Sequence, residues 1–264
     1  MVKKMERKYI PLASFFAEAK HNEVTLTYTA IENIVGQQLP NAAYLNSSWW
    51  KKTKPPATHF LAWLDFEYTV KKIDLGRSVT FSKESEAIEG DSTSKHENVQ
   101  IVRSVDLDDA RAIINLHQEI DAESDFMLFG KDERKMTVQA VRKRITEWKK
   151  SEKSGMFVSI MNGEFAGFLV VLSGPSLRSS HRASIVIGVR QAFQGKNVGT
   201  TLMQKADIWA QDVGITRLEL TVVEDNERAI HLYKKFGYAV EGTRTNSLFI
   251  KDSYVNELYM GKNI

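Results

Sequence analysis

Residues 194–200, "QGKNVGT", place two glycines, a lysine, an asparagine and a threonine between an apolar run and an amphipathic one. The apolar run is "SIVIGV" (184–189) and the amphipathic run is "LMQKADIWAQDVG" (202–214). The pattern predicts a strand, a tight turn and a helix start, in that order. A helix start leaves backbone N–H groups without intrahelical partners, and its dipole favours negative charge. Glycines let the chain turn sharply and a ligand approach closely. The combination suits a phosphate or pyrophosphate. On these seven residues alone, a plain strand-to-helix turn is an equal reading. The spacing is neither that of a Walker loop, G-x-x-x-x-G-K-[ST], nor that of the dinucleotide fingerprint, G-x-G-x-x-G.

The elements around this stretch follow from changes of hydrophobic period. "VQIVRSV" (99–105) reads as a strand, and Asp106 is placed to cap a helix in which Leu107, Ala110, Ile113, Ile114 and His117 recur at helical spacing. A basic helix is expected from Thr137 to Ser151. Two apolar runs flank Asn162-Gly163, the residue pair of a type I′ hairpin turn. After the heptapeptide come a helix to Asp212, a strand at 217–223, a helix at 226–236 and two closing strands. On the strand before the turn, Ser184, Val186 and Gly188 share one face and Ile185, Ile187 and Val189 the other. The fold class expected is α/β (α+β), a mixed antiparallel and parallel sheet with flanking helices.

Composition limits the alternatives. The chain has 264 residues, 42% hydrophobic and 26% charged, as in ordinary globular proteins. No apolar run approaches the ~18 residues of a membrane span, and the N-terminus lacks an h-region, so a cytoplasmic location is expected. The absence of cysteine excludes disulfides, thiolate metal sites and a cysteine nucleophile. Six scattered histidines with no H-x-x-x-H pair give no support for a metal. Charge is uneven: residues 1–82 carry 11 Lys and Arg against 7 Asp and Glu, whereas "KESEAIEGDSTSKHE" (83–97) carries 2 against 5. That polar, acidic stretch reads as a linker. Three parts are therefore expected: a small α+β domain over 1–82, a linker over 83–98 and a larger domain over 99–264.

"VRQAFQGKNVGTTLM" resembles the acyl-CoA-binding segment of the GCN5-related N-acetyltransferase superfamily, Q/R-x-x-G-x-G/A. "NERAIHLYKKFGY" (226–238) is similar to the later segment of the same family, and the two motifs are separated by the expected strand. The resemblance covers about residues 99–264 and implies the acyl-CoA N-acyltransferase fold. It also implies acetyl-CoA as acyl donor, direct transfer to a primary amine in a ternary complex, and no metal. Gln194 takes the first motif position and Gly199 the last, and Asn197 replaces the middle glycine, a change that a left-handed backbone tolerates. The implied donor site comprises Val189, Gln194, Gly195, Lys196, Asn197, Val198, Gly199, Thr200 and Asn226.

By the same resemblance Tyr233 is the general acid that protonates the leaving thiolate; a phenol with its ordinary pKa of ~10 is protonated at neutral pH. Spacing alone makes it a core aromatic beside Ala229, Ile230 and Phe236. Many members carry a glutamate base near position 184; here it is Ser184, and Glu241, His181 and Glu123 are the remaining candidates. Phe126, Met127, Leu128 and Phe129 would wall the acceptor pocket or pin a loop. Asp121, Glu123 and Asp125 would suit a cationic amine or simply be solvated. A homodimer is compatible with the family.

Residues 1–82 fall outside that pattern and resemble a small uncharacterised module found at the start of bacterial proteins. Helix, turn, helix and a two-stranded hairpin give the outline of a winged helix. Trp49-Trp50-Lys51-Lys52 would serve nucleic acid by stacking and phosphate contacts, or anchor a small core. The second reading of the whole chain is a coenzyme A-binding sensor whose N-terminal domain contacts nucleic acid or a protein.

Overall fold

The computed structural model describes residues 5–51, 57–83 and 99–264. Apart from Lys83, the expected linker lies outside the described residues, as does Lys52 of the tryptophan–lysine cluster. The chain forms two compact units, one of residues 1–109 with 160–165, the other of 110–159 with 166–264.

The first unit opens with α1 (Ile10–Glu18), β1 (Glu23–Thr27) and α2 (Tyr28–Val35). Thr27 caps α2 by accepting a hydrogen bond from Ala30 N at 3.0 Å. Then come α3 (Asn41–Leu45), α4 (Ser47–Trp50), α5 (Leu61–Leu64), β2 (Tyr68–Asp74) and β3 (Ser78–Lys83). The three strands form an antiparallel sheet in the order β1-β3-β2. This order of elements follows the winged-helix outline. The second helix of the expected pair is nevertheless broken, because Asn46 is extended (φ −142°) and separates five helical residues from four.

Trp50 is 1% exposed, and its indole N–H is shared between Tyr28 Oη and Ala43 O, each at 2.9 Å. Trp49 stacks on the His59 ring at 3.9 Å. Trp50 is therefore a core anchor, and the half-buried Trp49 packs against it and against His59.

The remaining elements are β4 (Gln100–Ser104), α6 (Ala110–Glu123), α7 (Val138–Lys150), β5 (Gly155–Met161), β6 (Glu164–Ser173), β7 (Arg182–Val189), α8 (Val198–Asp212), β8 (Arg217–Val223), α9 (Glu227–Lys235), β9 (Ala239–Ile250) and β10 (Ser253–Asn263). Strand order in the seven-stranded sheet is β4-β5-β6-β7-β8-β10-β9. β7 and β8 run parallel, while β6–β7, β8–β10 and β10–β9 are antiparallel, so the sheet is mixed.

The helix expected from Asp106 starts at Ala110, after a 3-10 turn over Leu107–Asp109. The Asp109 carboxylate there accepts from the Asp106 amide at 2.6 Å and from the Arg103 guanidinium, which tightens the entry. Between β5 and β6, Asn162 (φ 52°) and Gly163 (φ 86°) both have positive φ, the signature of the type I′ turn.

Candidate active site

β7 and β8 share only three register pairs: Arg182–Arg217, Ala183–Leu218 and Ser184–Glu219. Beyond Ser184 the strands part, although β7 continues to Val189 and β8 to Val223. On its other edge β7 stays paired with β6 as far as Gly167–Val189. The result is a fork about 16 Å deep, at ~3.3 Å per residue over five residues. The backbone of Val189 lies on its open edge.

The two faces of the fork differ. A Cβ at Gly188 would meet Phe168 at 2.6 Å and Ile120 of α6 at 3.2 Å, so α6 covers the face that also carries Ser184 and Val186. A Cβ at Gly167 would meet Val198 of α8 and Val189, which sets α8 on the opposite face. There Ala183, Ile185, Leu218, Leu220 and Val222 are buried. Val186 is 47% exposed, so the α6 face is open beyond the helix.

The open end of the fork runs into the start of α8. Gly195 (φ 76°) and Asn197 (φ 64°) are both left-handed, so asparagine fills a position that otherwise suits glycine. Thr201 N, bonded to Asn197 O at 3.0 Å, begins the helical ladder, and the amides of Val198, Gly199 and Thr200 precede it. Among the described residues no side chain caps this end, and its first turn carries no acid. It is thus an uncapped, electropositive start to a helix of 15 residues. Gln194 and Lys196 are exposed beside it; the Gln194 Oε1 accepts from Arg228 of α9 at 2.5 Å, and the Lys196 ammonium lies 5.2 Å from the Phe193 ring centroid. A Cβ at Gly199 would sit 3.0 Å from Leu232 Cδ2, so α9 packs against the start of α8.

Tyr233 follows Leu232 on α9 and is 6% exposed; burial raises the pKa of its phenol, which keeps it protonated. Asn226 caps α9, its Oδ1 accepting from Ala229 N at 3.2 Å. That bond leaves its side-chain N–H groups for another acceptor.

The three base candidates stand in different places. His181 precedes β7 at the closed end, and its carbonyl accepts from Thr216 N at 2.8 Å. Glu241 is ion-paired with Arg217, also on the closed half. Glu123 lies at the end of α6 and accepts from Gln191 N at 2.6 Å, while Glu119 pairs with Arg190 at 2.6 Å. These two carboxylates fasten α6 to the segment leaving β7. Ser184 itself donates to Glu219 Oε1 at 3.3 Å. Glu219 has no motif around it and becomes visible only through its register with Ser184.

Phe126, Leu128 and Phe129 are 44%, 69% and 37% exposed, so they do not pin the α6–α7 loop into a core. Asp125 pairs with Lys251 in the β9–β10 turn, which ties the two loops together. Asp121 is 4% exposed and bonded by Arg134 at 2.6 Å, so its charge is already compensated. Among the described residues no cluster of His, Cys, Asp and Glu could hold a metal ion. No helix among them is long and apolar enough to cross a membrane.

Residues 119–238 match the Acetyltransferase (GNAT) family, and residues 9–85 match a domain of unknown function, DUF7662. An L-amino acid N-acetyltransferase of Escherichia coli (strain K12) is 32% identical over 109 residues, 40% of this chain and 65% of that protein. The chain thus spans just under two thirds of the length of that relative. The crystal structure of a GNAT-family acetyltransferase from Streptococcus pneumoniae has a TM-score of 0.61 at 25% identity, over 62% of this chain and 99% of that one. A phosphinothricin acetyltransferase from Sinorhizobium meliloti, crystallised in complex with acetyl-CoA, shares the fold with a TM-score of 0.56 at 12% identity, over 62% of this chain and 88% of that one. The chain carries an acetyltransferase domain of the GNAT family.

Proposed function

We propose that the protein transfers an acetyl group from acetyl-CoA to a primary amine, directly and in a ternary complex. The observation that carries this reading is the β7–β8 fork opening onto the uncapped start of α8. The amides of Val198, Gly199 and Thr200, with Gln194, Gly195, Lys196 and Asn197 around them, are assigned to the pyrophosphate. The Val189 backbone and the Asn226 amide are assigned to the pantetheine arm. Acetyl-CoA supplies the thioester carbon and a thiolate leaving group. Tyr233, held protonated by burial, is the proton donor for that thiolate.

In this reading residues 99–264 form the transferase domain, 83–98 a linker and 1–82 an accessory module. The test is thiol release from acetyl-CoA with polyamines, L-amino acids and short peptides as acceptors. Turnover with one of these classes supports the transferase. Tight acetyl-CoA binding without turnover would instead favour a coenzyme A sensor.

For the accessory module we propose contact with nucleic acid. Residues 33–64 contain no Asp or Glu and three lysines, and Lys51, Lys72 and Arg77 are exposed. Binding of the full chain to duplex DNA should weaken steeply with salt and fall in Lys72→Glu/Arg77→Glu. Salt-independent binding would contradict phosphate contact.

A further inference from the structure

We propose that Glu219 is the proton acceptor for the incoming amine. The inference rests on the acetyltransferase reading and adds the catalytic group that this reading lacks. An amine enters at neutral pH as an ammonium and must lose a proton before its lone pair can attack. The Ser184 hydroxyl is neutral and far too weakly basic to take it unaided. Yet Ser184 is the last residue of β7 paired with β8, and its partner across the root of the fork is Glu219. The two side chains share a face and a hydrogen bond, Ser184 Oγ donating to Glu219 Oε1 at 3.3 Å. The parallel register thus brings a carboxylate to position 184 from the neighbouring strand.

Three further features suit the role. Two residues along each strand, on the same face, Val186 and Thr221 are exposed, so an acceptor can reach the root of the fork from that side. The opposite face is buried beneath the side that bears α8 and α9, and Tyr233 belongs to α9. Acid and base thereby stand on opposite sides of the fork. Arg182 and Arg217 both pair with Glu219, the second at 3.4 Å. They hold the carboxylate in place beside Ser184. The other carboxylates stand away from the root of the fork: Glu123 meets the Gln191 amide beyond the end of β7, and Glu257 pairs in register with Val223 at the far end of β8.

One ammonium proton passes to Glu219, directly or through one water, and on to solvent. The free lone pair forms the C–N bond as the C–S bond breaks. The proton that nitrogen then sheds balances the one that Tyr233 gives to the thiolate.

The test compares wild type, Glu219→Gln and the exchange variant Ser184→Glu/Glu219→Ser, which moves the carboxylate from β8 to β7 at the same register pair. Each is titrated with acetyl-CoA, melted thermally, and assayed by thiol release with spermidine, mixed L-amino acids and n-butylamine. The expected result is a loss in kcat of about 100-fold or more in Glu219→Gln with unchanged acetyl-CoA affinity. The exchange variant should recover to within about tenfold of wild type, for a cost of about 1.4 kcal/mol in barrier. Equal kcat in wild type and a folded Glu219→Gln would overturn the proposal. So would an exchange variant that folds and binds acetyl-CoA but is as slow as Glu219→Gln. A wild type that does not bind acetyl-CoA, or that binds it and turns over none of the three amines, would instead remove the transferase reading beneath the proposal.

Discussion

Arg103 grips Asp109 with both arms of its guanidinium, Nη1 to Oδ2 at 2.7 Å and Nη2 to Oδ1 at 2.8 Å, and the two side chains are 9% and 3% exposed. The same guanidinium donates to the carbonyls of Asn33 and Ile34 at the end of α2, and to Ser104 O. All of its partners lie within the first unit, so one side chain ties β4 to a helix of the N-terminal module. Arg103→Ala leaves a buried carboxylate and several carbonyls unpaired, and should cost about 3–5 kcal/mol. Urea unfolding of the full chain measures this. A loss below about 1 kcal/mol would mean that water replaces the pair.

The Asn162-Gly163 turn makes a second, independent demand. At Gly163 (φ 86°) an added Cβ would lie 2.2 Å from the Ala30 Cβ and 2.9 Å from its Cα. Neither is the flexible end of a side chain, so the backbone must move. Gly163→Ala should destabilise by about 2 kcal/mol or more, from strain at positive φ together with overpacking. The smaller residue at the facing site cannot rescue the φ strain, so Gly163→Ala/Ala30→Gly should recover only part of the loss in the same urea assay.

Tyr233→Phe removes the proposed acid and keeps the ring. Turnover should fall about 100-fold or more while acetyl-CoA affinity stays within a factor of about two. Burial raises the phenol pKa, so the deprotonated form gains population only above the ordinary ~10. A rate profile should therefore show no alkaline loss from this residue below about pH 10. Unchanged turnover in the phenylalanine variant would remove Tyr233 from the mechanism.

His117 provides a pH test of the fold. It packs on Phe168 with ring centroids 4.2 Å apart, and its Nδ1 has no hydrogen-bond partner among the described residues. Burial, aided by Arg134 and opposed by Asp121, pushes its pKa down from 6.5 to about 4. The neutral form is favoured in the fold, so the unfolded chain takes up a proton first as pH falls. Stability is intact above about 6.5 and is lost as pH falls towards 4, by about 2 kcal/mol between pH 6.5 and 4.5. His117→Phe should flatten that part of the stability curve. An identical slope in the variant would show that other groups set it.

Where residue type and local spacing determine structure, the sequence was readable. Asn162-Gly163 can hardly be anything other than a tight turn, and the chain from Ile185 to Asp212 changes from period two to helical period around Gly195 and Asn197. Long-range register was not readable. Nothing local announces that Glu219 lies opposite Ser184, since that follows from how a parallel crossover seats β8 against β7. The break at Asn46 was equally hidden, because the apolar spacing of Ala43, Trp49 and Trp50 continues through it. The compensation of Asp121 by Arg134 depends on a loop closing over 13 residues, so it could not be separated from ordinary surface charge.

If the start of α8 holds the acyl donor, calorimetric titration of acetyl-CoA will show it. Wild type and Gly199→Glu are compared, with thermal melting to show that the variant is folded. Glutamate at 199 would crowd Leu232, from which a Cβ is only 3.0 Å, and would set a carboxylate beside the amides assigned to the pyrophosphate. Wild type should bind clearly, with an affinity at least about tenfold weaker in the variant, equivalent to about 1.4 kcal/mol. Equal affinity in a folded Gly199→Glu, or no binding by the wild type, would contradict it.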